Sequence, residues 1–296
     1  VRVYSRNLFS NAMPPFLDAP PISLGGSQDF VFSPDGAEIA FIMNPDAGVA
    51  MSTNNSLFVQ SLDGIHPVEA ARCLSENEAM ELEPRYSPDG RYLAFLGAER
   101  AGYEADRLRI KMVERTSDSA GGSMTRRNDQ YCGGTAVLTE KFDRSVSSFV
   151  WRSEKELLFL AEDRGYKSLY GVSFEQSYQG GVVPASVVQY TSAVFQEELR
   201  LVDTDTILVT RETARRAASL TVVDAPSPAD TATGPGLPAY QDQEPVRRLD
   251  TNPSLFAAAE MQSLESFWYR GADDDWIHGF LLKPPDFEAT RRYPLL

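Results

Sequence analysis

Phe32-Ser33-Pro34-Asp35-Gly36-Ala37-Glu38-Ile39-Ala40-Phe41 and Tyr86-Ser87-Pro88-Asp89-Gly90-Arg91-Tyr92-Leu93-Ala94-Phe95 are two copies of one pattern. Each has an aromatic residue, Ser-Pro-Asp-Gly, two variable residues, an apolar residue and then Ala-Phe. Ser-Pro-Asp-Gly encodes a tight hairpin. Proline presets the negative φ of the second turn position, Asp tolerates the third, and glycine supplies the positive φ that returns the chain in register. With apolar strands on both sides, each copy reads as strand, turn, strand.

Working outward, a degenerate third copy runs from Val150-Trp151 through Arg152-Ser153-Glu154-Lys155-Glu156 to Phe159, and a fourth from Leu199 through Asp203-Thr204-Asp205 to Val209. Strand candidates follow the first three copies at Ser56–Gln60, Arg109–Val113 and Ser168–Val172. Several strands per unit, recurring about every 50–65 residues, are the sequence signature of propeller blades. A β-sandwich with two similar hairpins would not extend the match through the downstream strands. The fold class expected is all-β, a partial β-propeller of about four or five blades. Thr125 to Gly134 reads as a polar loop, and Ala225 to Asp242, rich in Pro, Ala, Thr and Gly, as a long surface excursion. Phe267-Trp268-Tyr269 and Trp276 to Leu282 bracket Gly271 to Asp275 as a further hairpin, stopped by Lys283-Pro284-Pro285 because prolines supply no ladder donors.

The composition excludes several classes. Hydrophobic residues make up 42% of the 296, enough for a sizeable core. A formal charge of −14, with 42 acidic against 28 basic residues, argues against a nucleic-acid partner, which needs a basic surplus. Cys73 and Cys132 are the only cysteines, and His66 and His278 the only histidines, so neither a disulfide framework, a zinc site nor another metal site is expected. No cofactor is implied. No apolar run reaches the roughly 18 residues of a membrane span, so no membrane partner is expected. The chain opens on Val1 directly into strand-like sequence without a signal-peptide pattern. A start inside a longer protein is expected, with the cytoplasm as the compartment.

A serine hydrolase needs a Gly-x-Ser-x-Gly elbow, and none occurs in this sequence. Gly25-Gly26-Ser27 and Gly121-Gly122-Ser123 lack the second glycine. His66 reads as a turn residue and His278 as a structural histidine on a strand. No catalytic residue is therefore assigned. Asp273-Asp274-Asp275 lacks calcium-loop spacing and reads as a solvated tip. Glu76, Glu78, Glu81 and Glu83 read as an exposed acidic loop before Tyr86, and Arg126-Arg127 as a surface pair.

The repeat units and four further stretches carry a family resemblance. The Ser-Pro-Asp-Gly units resemble TolB-type repeats. Met51-Ser52-Thr53-Asn54-Asn55-Ser56-Leu57-Phe58-Val59 and Glu99-Arg100-Ala101-Gly102-Tyr103-Glu104-Ala105-Asp106-Arg107 resemble dipeptidyl-peptidase V and acylaminoacyl-peptidase relatives, with Met51 where those carry Trp. Asp143-Arg144-Ser145 before Val150-Trp151 fits the same pattern. Ile277-His278-Gly279-Phe280-Leu281-Leu282-Lys283-Pro284-Pro285, then Tyr293-Pro294-Leu295-Leu296, resembles the crossing from propeller to α/β-hydrolase domain in prolyl oligopeptidase-family serine peptidases.

The resemblance implies a seven- or eight-bladed propeller truncated on its N-terminal side, spanning residues 1–275. Residues 276–296 would then be the link into an α/β-hydrolase domain that holds the Ser-Asp-His site. It implies a non-catalytic portion that gates access for short peptides, with the peptide substrate and its own α/β-hydrolase domain as partners. Peptidases that release dipeptides recognise a free α-ammonium, for which a carboxylate is the fitting acceptor. Glu104 or Asp106 is thus the candidate for the substrate N-terminus, and Arg107 or Arg100 for a substrate carbonyl. The rival reading is a non-catalytic propeller acting as an interaction scaffold.

Overall fold

The computed structural model describes residues 2–3, 17–18, 29–46, 52–62, 71–115, 131–177, 181–191, 194–214, 216–225, 247–249 and 262–295. The chain divides into two compact units, Val1–Ala161 with Tyr170–Gln189, and Glu162–Leu169 with Tyr190–Leu296.

In the first unit β1 (Arg2–Val3) pairs with β2 (Leu17–Asp18). β3 (Phe30–Phe32), β4 (Glu38–Met43), β5 (Ser56–Ser61) and β6 (Arg72–Cys73) then form an antiparallel meander in sequence order. A second meander has β7 (Glu81–Tyr86), β8 (Tyr92–Gly97), β9 (Arg109–Arg115) and β10 (Tyr131–Val137). A third has β11 (Val146–Trp151), β12 (Glu156–Asp163) and β13 (Tyr166–Gln176), with its outer edge divided between β14 (Val182–Pro184) and β15 (Val188–Gln189). These are three propeller blades. In the second unit β16 (Phe195–Asp203), β17 (Thr206–Thr213), β18 (Arg216–Asp224) and β19 (Arg247–Leu249) form a further antiparallel meander, and β20 (Leu264–Arg270) and β21 (Trp276–Leu282) form a hairpin. The start of β13, itself in this unit, joins that meander by one parallel pair, Lys167 with Phe195. The fold is all-β, with the strand order of a partial propeller.

The repeated turn explains the first two blades. Gly36 N donates to Ser33 O at 2.8 Å and Gly90 N to Ser87 O at 2.9 Å, with φ of 70° and 72° at the two glycines. Each serine hydroxyl donates to the turn aspartate and accepts the amide of the residue that opens the next strand, Glu38 at 3.0 Å or Tyr92 at 2.9 Å. Each aspartate also accepts the amide two residues on. Every polar residue of the motif thus satisfies a donor that the turn would otherwise leave unpaired. The degenerate copies close hairpins too, between β11 and β12 and between β16 and β17.

β8 is buried at all of its positions, as expected of a strand covered on both faces. Leu93, Phe95 and Val113 pack with Ala40, Ile42, Leu57 and Val59 of the first blade. The alternate residues Tyr92, Ala94, Leu96, Ile110 and Met112 pack with Phe149, Trp151, Leu157, Phe159 and Phe174 of the third. The core of the first unit therefore lies between blades, and strand alternation decides which neighbour each side chain meets.

Two expectations are corrected. Tyr131–Gly134 is not loop: it lies in β10, where Tyr131 pairs with Arg115 and Cys132 with Glu114. A register shift before Ala136 takes up the glycines, with Gly134 at φ 48°, so β9 gains the partner its amides and carbonyls require. The second correction is Glu81, which is not in an exposed acidic loop. It opens β7 and is only 2% exposed. Thr125–Gln130, the excursion beyond Ala225, His66 and both Gly-Gly-Ser stretches lie outside the described residues.

Candidate functional site

The β4–β5 and β8–β9 connections leave their blades at the ends opposite the Ser-Pro-Asp-Gly turns. The second of them, residues 98–108, is held on every side. Asp106 Oδ2 accepts the amides of Glu99 at 2.8 Å and Arg100 at 3.0 Å. Asp106 N donates to Tyr103 O, and Tyr103 N to Arg100 O. Burial pushes the Asp106 carboxyl up, but the amides and the Arg109 guanidinium outweigh it and hold it below the usual carboxylate range.

Outward ties run to neighbouring blades within the first unit. Gly102 N donates to Thr53 Oγ1 at 3.0 Å, joining the loop to the first blade. The Arg107 guanidinium donates to the carbonyls of Phe142 and Glu140, the second at 3.1 Å, on the passage from β10 to β11. Leu108 N donates to Ser145 Oγ at 3.0 Å. Three of the stretches that carry the family resemblance, those around Thr53, Arg107 and Ser145, therefore meet in one place.

Thr53 is supported from beneath. Glu81 N donates to Asn55 O at 2.8 Å, and Glu81 Oε2 accepts Leu57 N at 3.0 Å and Ser75 Oγ at 2.5 Å. Burial pushes the Glu81 carboxyl up against those bonds. Ser52 and Asn54 both bond to the Asp46 carboxylate.

Of the sequence candidates, Asp106 and Arg107 direct their polar groups to backbone partners, the amides of Glu99 and Arg100 and the carbonyls of Glu140 and Phe142. Glu104 lies exposed on the turn between them and Tyr103. The Arg100 guanidinium lies 4.6 Å from the centre of the Tyr103 ring, which is 49% exposed. The loop thus presents a carboxylate, a guanidinium and an aromatic ring on a braced backbone. That set can take an ammonium by charge-assisted hydrogen bonds or over the ring, and a carbonyl from the guanidinium. Thr53, Glu140 and Ser145 were not assigned from sequence as partners of this loop, although two of them sit inside the quoted stretches. His278 stacks on Trp268 with ring centres 4.3 Å apart, and its Nε2 is 2.7 Å from Ser266 Oγ. Among the described residues no three His, Cys, Asp or Glu side chains are grouped to hold a metal, and no helix is long and apolar enough to cross a membrane.

No family model matches the chain. It is 25% identical to dipeptidyl-peptidase 5 of Porphyromonas gingivalis over 94% of its own length and 35% of that protein's. It is also 25% identical to the probable dipeptidyl-peptidase 5 of Emericella nidulans, over 95% of this chain and 35% of the relative. Dipeptidyl-peptidase 4 of Giardia intestinalis is 24% identical, with 94% and 38% covered. The chain therefore spans little more than a third of the curated relatives it matches. Similar solved structures include prolyl oligopeptidase B from Galerina marginata (TM-score 0.48, 14% identity, 85% of this chain and 31% of that one). Another is the putative TolB from Agrobacterium tumefaciens (TM-score 0.45, 16% identity, 66% and 60%). Along nearly its whole length the chain is similar to part of the dipeptidyl-peptidase 5 sequences.

Proposed function

We propose that this chain is the non-catalytic propeller portion of a serine peptidase that hydrolyses short peptides. It restricts entry to a Ser-Asp-His site in an α/β-hydrolase domain outside this chain and helps to hold the substrate. The single observation that carries the reading is the meeting of the three resembling stretches at the braced β8–β9 loop, with Glu104 left exposed at its tip. In this role Glu104 accepts the α-ammonium of a peptide and Arg100 donates to a carbonyl, which favours dipeptidyl- over acylaminoacyl-peptidase action. Residues 1–275 are the propeller and 276–296 the link. The apolar hairpin of β20 and β21, which runs across that boundary, supports a contact with a further domain, since Phe267, Trp268, Tyr269 and Trp276 are each exposed by 45% or more. Faces of that kind await a partner, here the protein's own hydrolase domain. The cytoplasm is the proposed compartment, open to test by fractionation.

The test is made on the complete protein with dipeptide substrates carrying a free or an acetylated N-terminus. The free-amine form should be cleaved with the lower KM, and Glu104→Gln should raise that KM about tenfold while leaving the acetylated substrate unaffected. An unchanged KM for the free-amine form removes Glu104 from the site. A complete protein that cleaves no peptide gives way to the scaffold reading.

A further inference from the structure

We infer that Asp106 is a positioning residue: its carboxylate fixes the β8–β9 loop in the shape that presents Glu104 and Arg100 to the substrate. The inference rests on the functional reading above and assigns Asp106 a role different from ligand contact. Its Oδ2 atom already takes two consecutive amides, Glu99 N at 2.8 Å and Arg100 N at 3.0 Å. Its side chain is only 12% exposed and stands 4.0 Å from Arg109 Nη1. An oxygen so engaged has little left to offer an incoming ammonium.

The geometry makes the loop one braced unit. Asp106 closes it on itself by binding the amide that begins the Arg100 residue, so the Arg100 side chain leaves from a fixed backbone. Between them, Tyr103 N to Arg100 O and Asp106 N to Tyr103 O form successive turns that carry Glu104 at their outer edge. Gly102, at φ 72°, donates to Thr53 and stops the tip from lifting away from the first blade. Arg107 holds the other end through Glu140 and Phe142 carbonyls. Without the Asp106 carboxylate two adjacent amides lose their common acceptor, and the turn between them and Glu104 is free to open. A side chain that binds a substrate group must be held in its productive rotamer and place before the substrate arrives, or part of the binding energy goes into ordering it.

The experiment compares Asp106→Ala, Asp106→Asn and Glu104→Gln in the complete protein on a free-amine dipeptide substrate. Asp106→Ala should raise KM about tenfold with kcat within about twofold of the parent. Asp106→Asn, which keeps an acceptor oxygen at the same reach, should recover most of that loss. In the complete protein, Asp106→Ala should also speed tryptic cleavage after Arg100, which reads the opening of the loop without reference to activity. Asp106→Ala combined with Glu104→Gln should raise KM by less than the product of the two single effects, because part of the Asp106 effect acts through Glu104. If Glu104→Gln raises KM and Asp106→Ala does not, the positioning role is wrong and the proposed function stands. If Glu104→Gln leaves KM unchanged, the reading of the site itself fails, whatever Asp106 does. If Asp106→Ala lowers kcat and the thermal midpoint together and Asp106→Asn rescues neither, the residue is merely structural and the inference is overturned.

Discussion

Ser87 has no exposed surface, and its hydroxyl serves both Asp89 and the amide of Tyr92. Replacing it with alanine leaves a buried amide without its acceptor, so Ser87→Ala should cost about 1–3 kcal/mol, read as a fall in the urea midpoint at constant slope. A loss below a few tenths of a kcal/mol would show that water replaces the hydroxyl. Two aspartates should respond to pH in opposite senses. Burial pushes the Asp29 carboxyl up to about 6, the Glu83 carboxylate adding to it while the Glu83 amide and the Arg85 charge oppose it. The folded protein then keeps a proton that the unfolded chain has released, so this contribution to stability is full below 3.8 and is lost as the pH rises through 6. Asp29→Asn should therefore raise the thermal midpoint at neutral pH and change it little near pH 3.8. Burial also pushes the Asp35 carboxyl up, but Ser33, Ala37 and Arg115 outweigh it and bring it down to about 2. Its contribution is present above 3.8 and lost as the pH falls through 2, so Asp35→Asn should be destabilising at neutral pH and silent in strong acid. Both are read from midpoints measured across that range.

At the scale of elements, neighbouring blades are fastened at matching positions by different chemistry. Glu38, at the start of β4, accepts Tyr86 OH at 2.5 Å and stands 3.2 Å from Arg115 Nε, while Arg115 Nη1 bridges to Asp35 at 2.8 Å. One blade on, Tyr92 at the start of β8 stacks on Trp151 and meets Phe174 edge to face. The first contact is an ionic clasp with Glu38 2% and the Arg115 side chain 9% exposed, and the second an aromatic one. Breaking a buried pair from one side strands a charge, whereas removing both partners need not. Arg115→Met should thus destabilise by about 3 kcal/mol, and the double variant with Glu38→Leu should recover much of that in a double-mutant cycle. Strict additivity of the two losses would mean that the pair is not coupled. The turn residues of each blade were legible in the sequence because their partners lie within five positions. The clasp was not, because Asp35 and Arg115 are 80 residues apart and nothing local to either names the other.

For the whole molecule, the β20–β21 hairpin bears most directly on assembly. On one face Phe267, Tyr269, Ile277 and Leu281 are exposed by 37–47%. Phe267 also lies across Gly279, where a Cβ would come within 2.6 Å of its ring. Tyr269→Lys changes an exposed position, so the stability of the 296-residue chain should move by no more than about 0.5 kcal/mol. The complete protein carrying the same change should lose activity and show faster proteolysis near the hairpin, because a charge would then face the proposed partner domain. Full activity with Tyr269→Lys would show that this face stays in solvent.

The sequence by itself determined the all-β class, the hairpin turns, the succession of blade-like units and the stretches that form the candidate site. Each of these rests on contacts between near neighbours or on strict alternation, which contiguous residues encode. Only the tertiary structure decided what the charged residues do. It gave Asp106 to the amides of Glu99 and Arg100, Arg107 to the Glu140 and Phe142 carbonyls, and Glu81 to a buried bond with Leu57. It also drew Tyr131–Gly134 into β10. A carboxylate or guanidinium on a loop carries no local mark of its partner. Which one it finds depends on backbone amides and carbonyls brought near by the packing of blades.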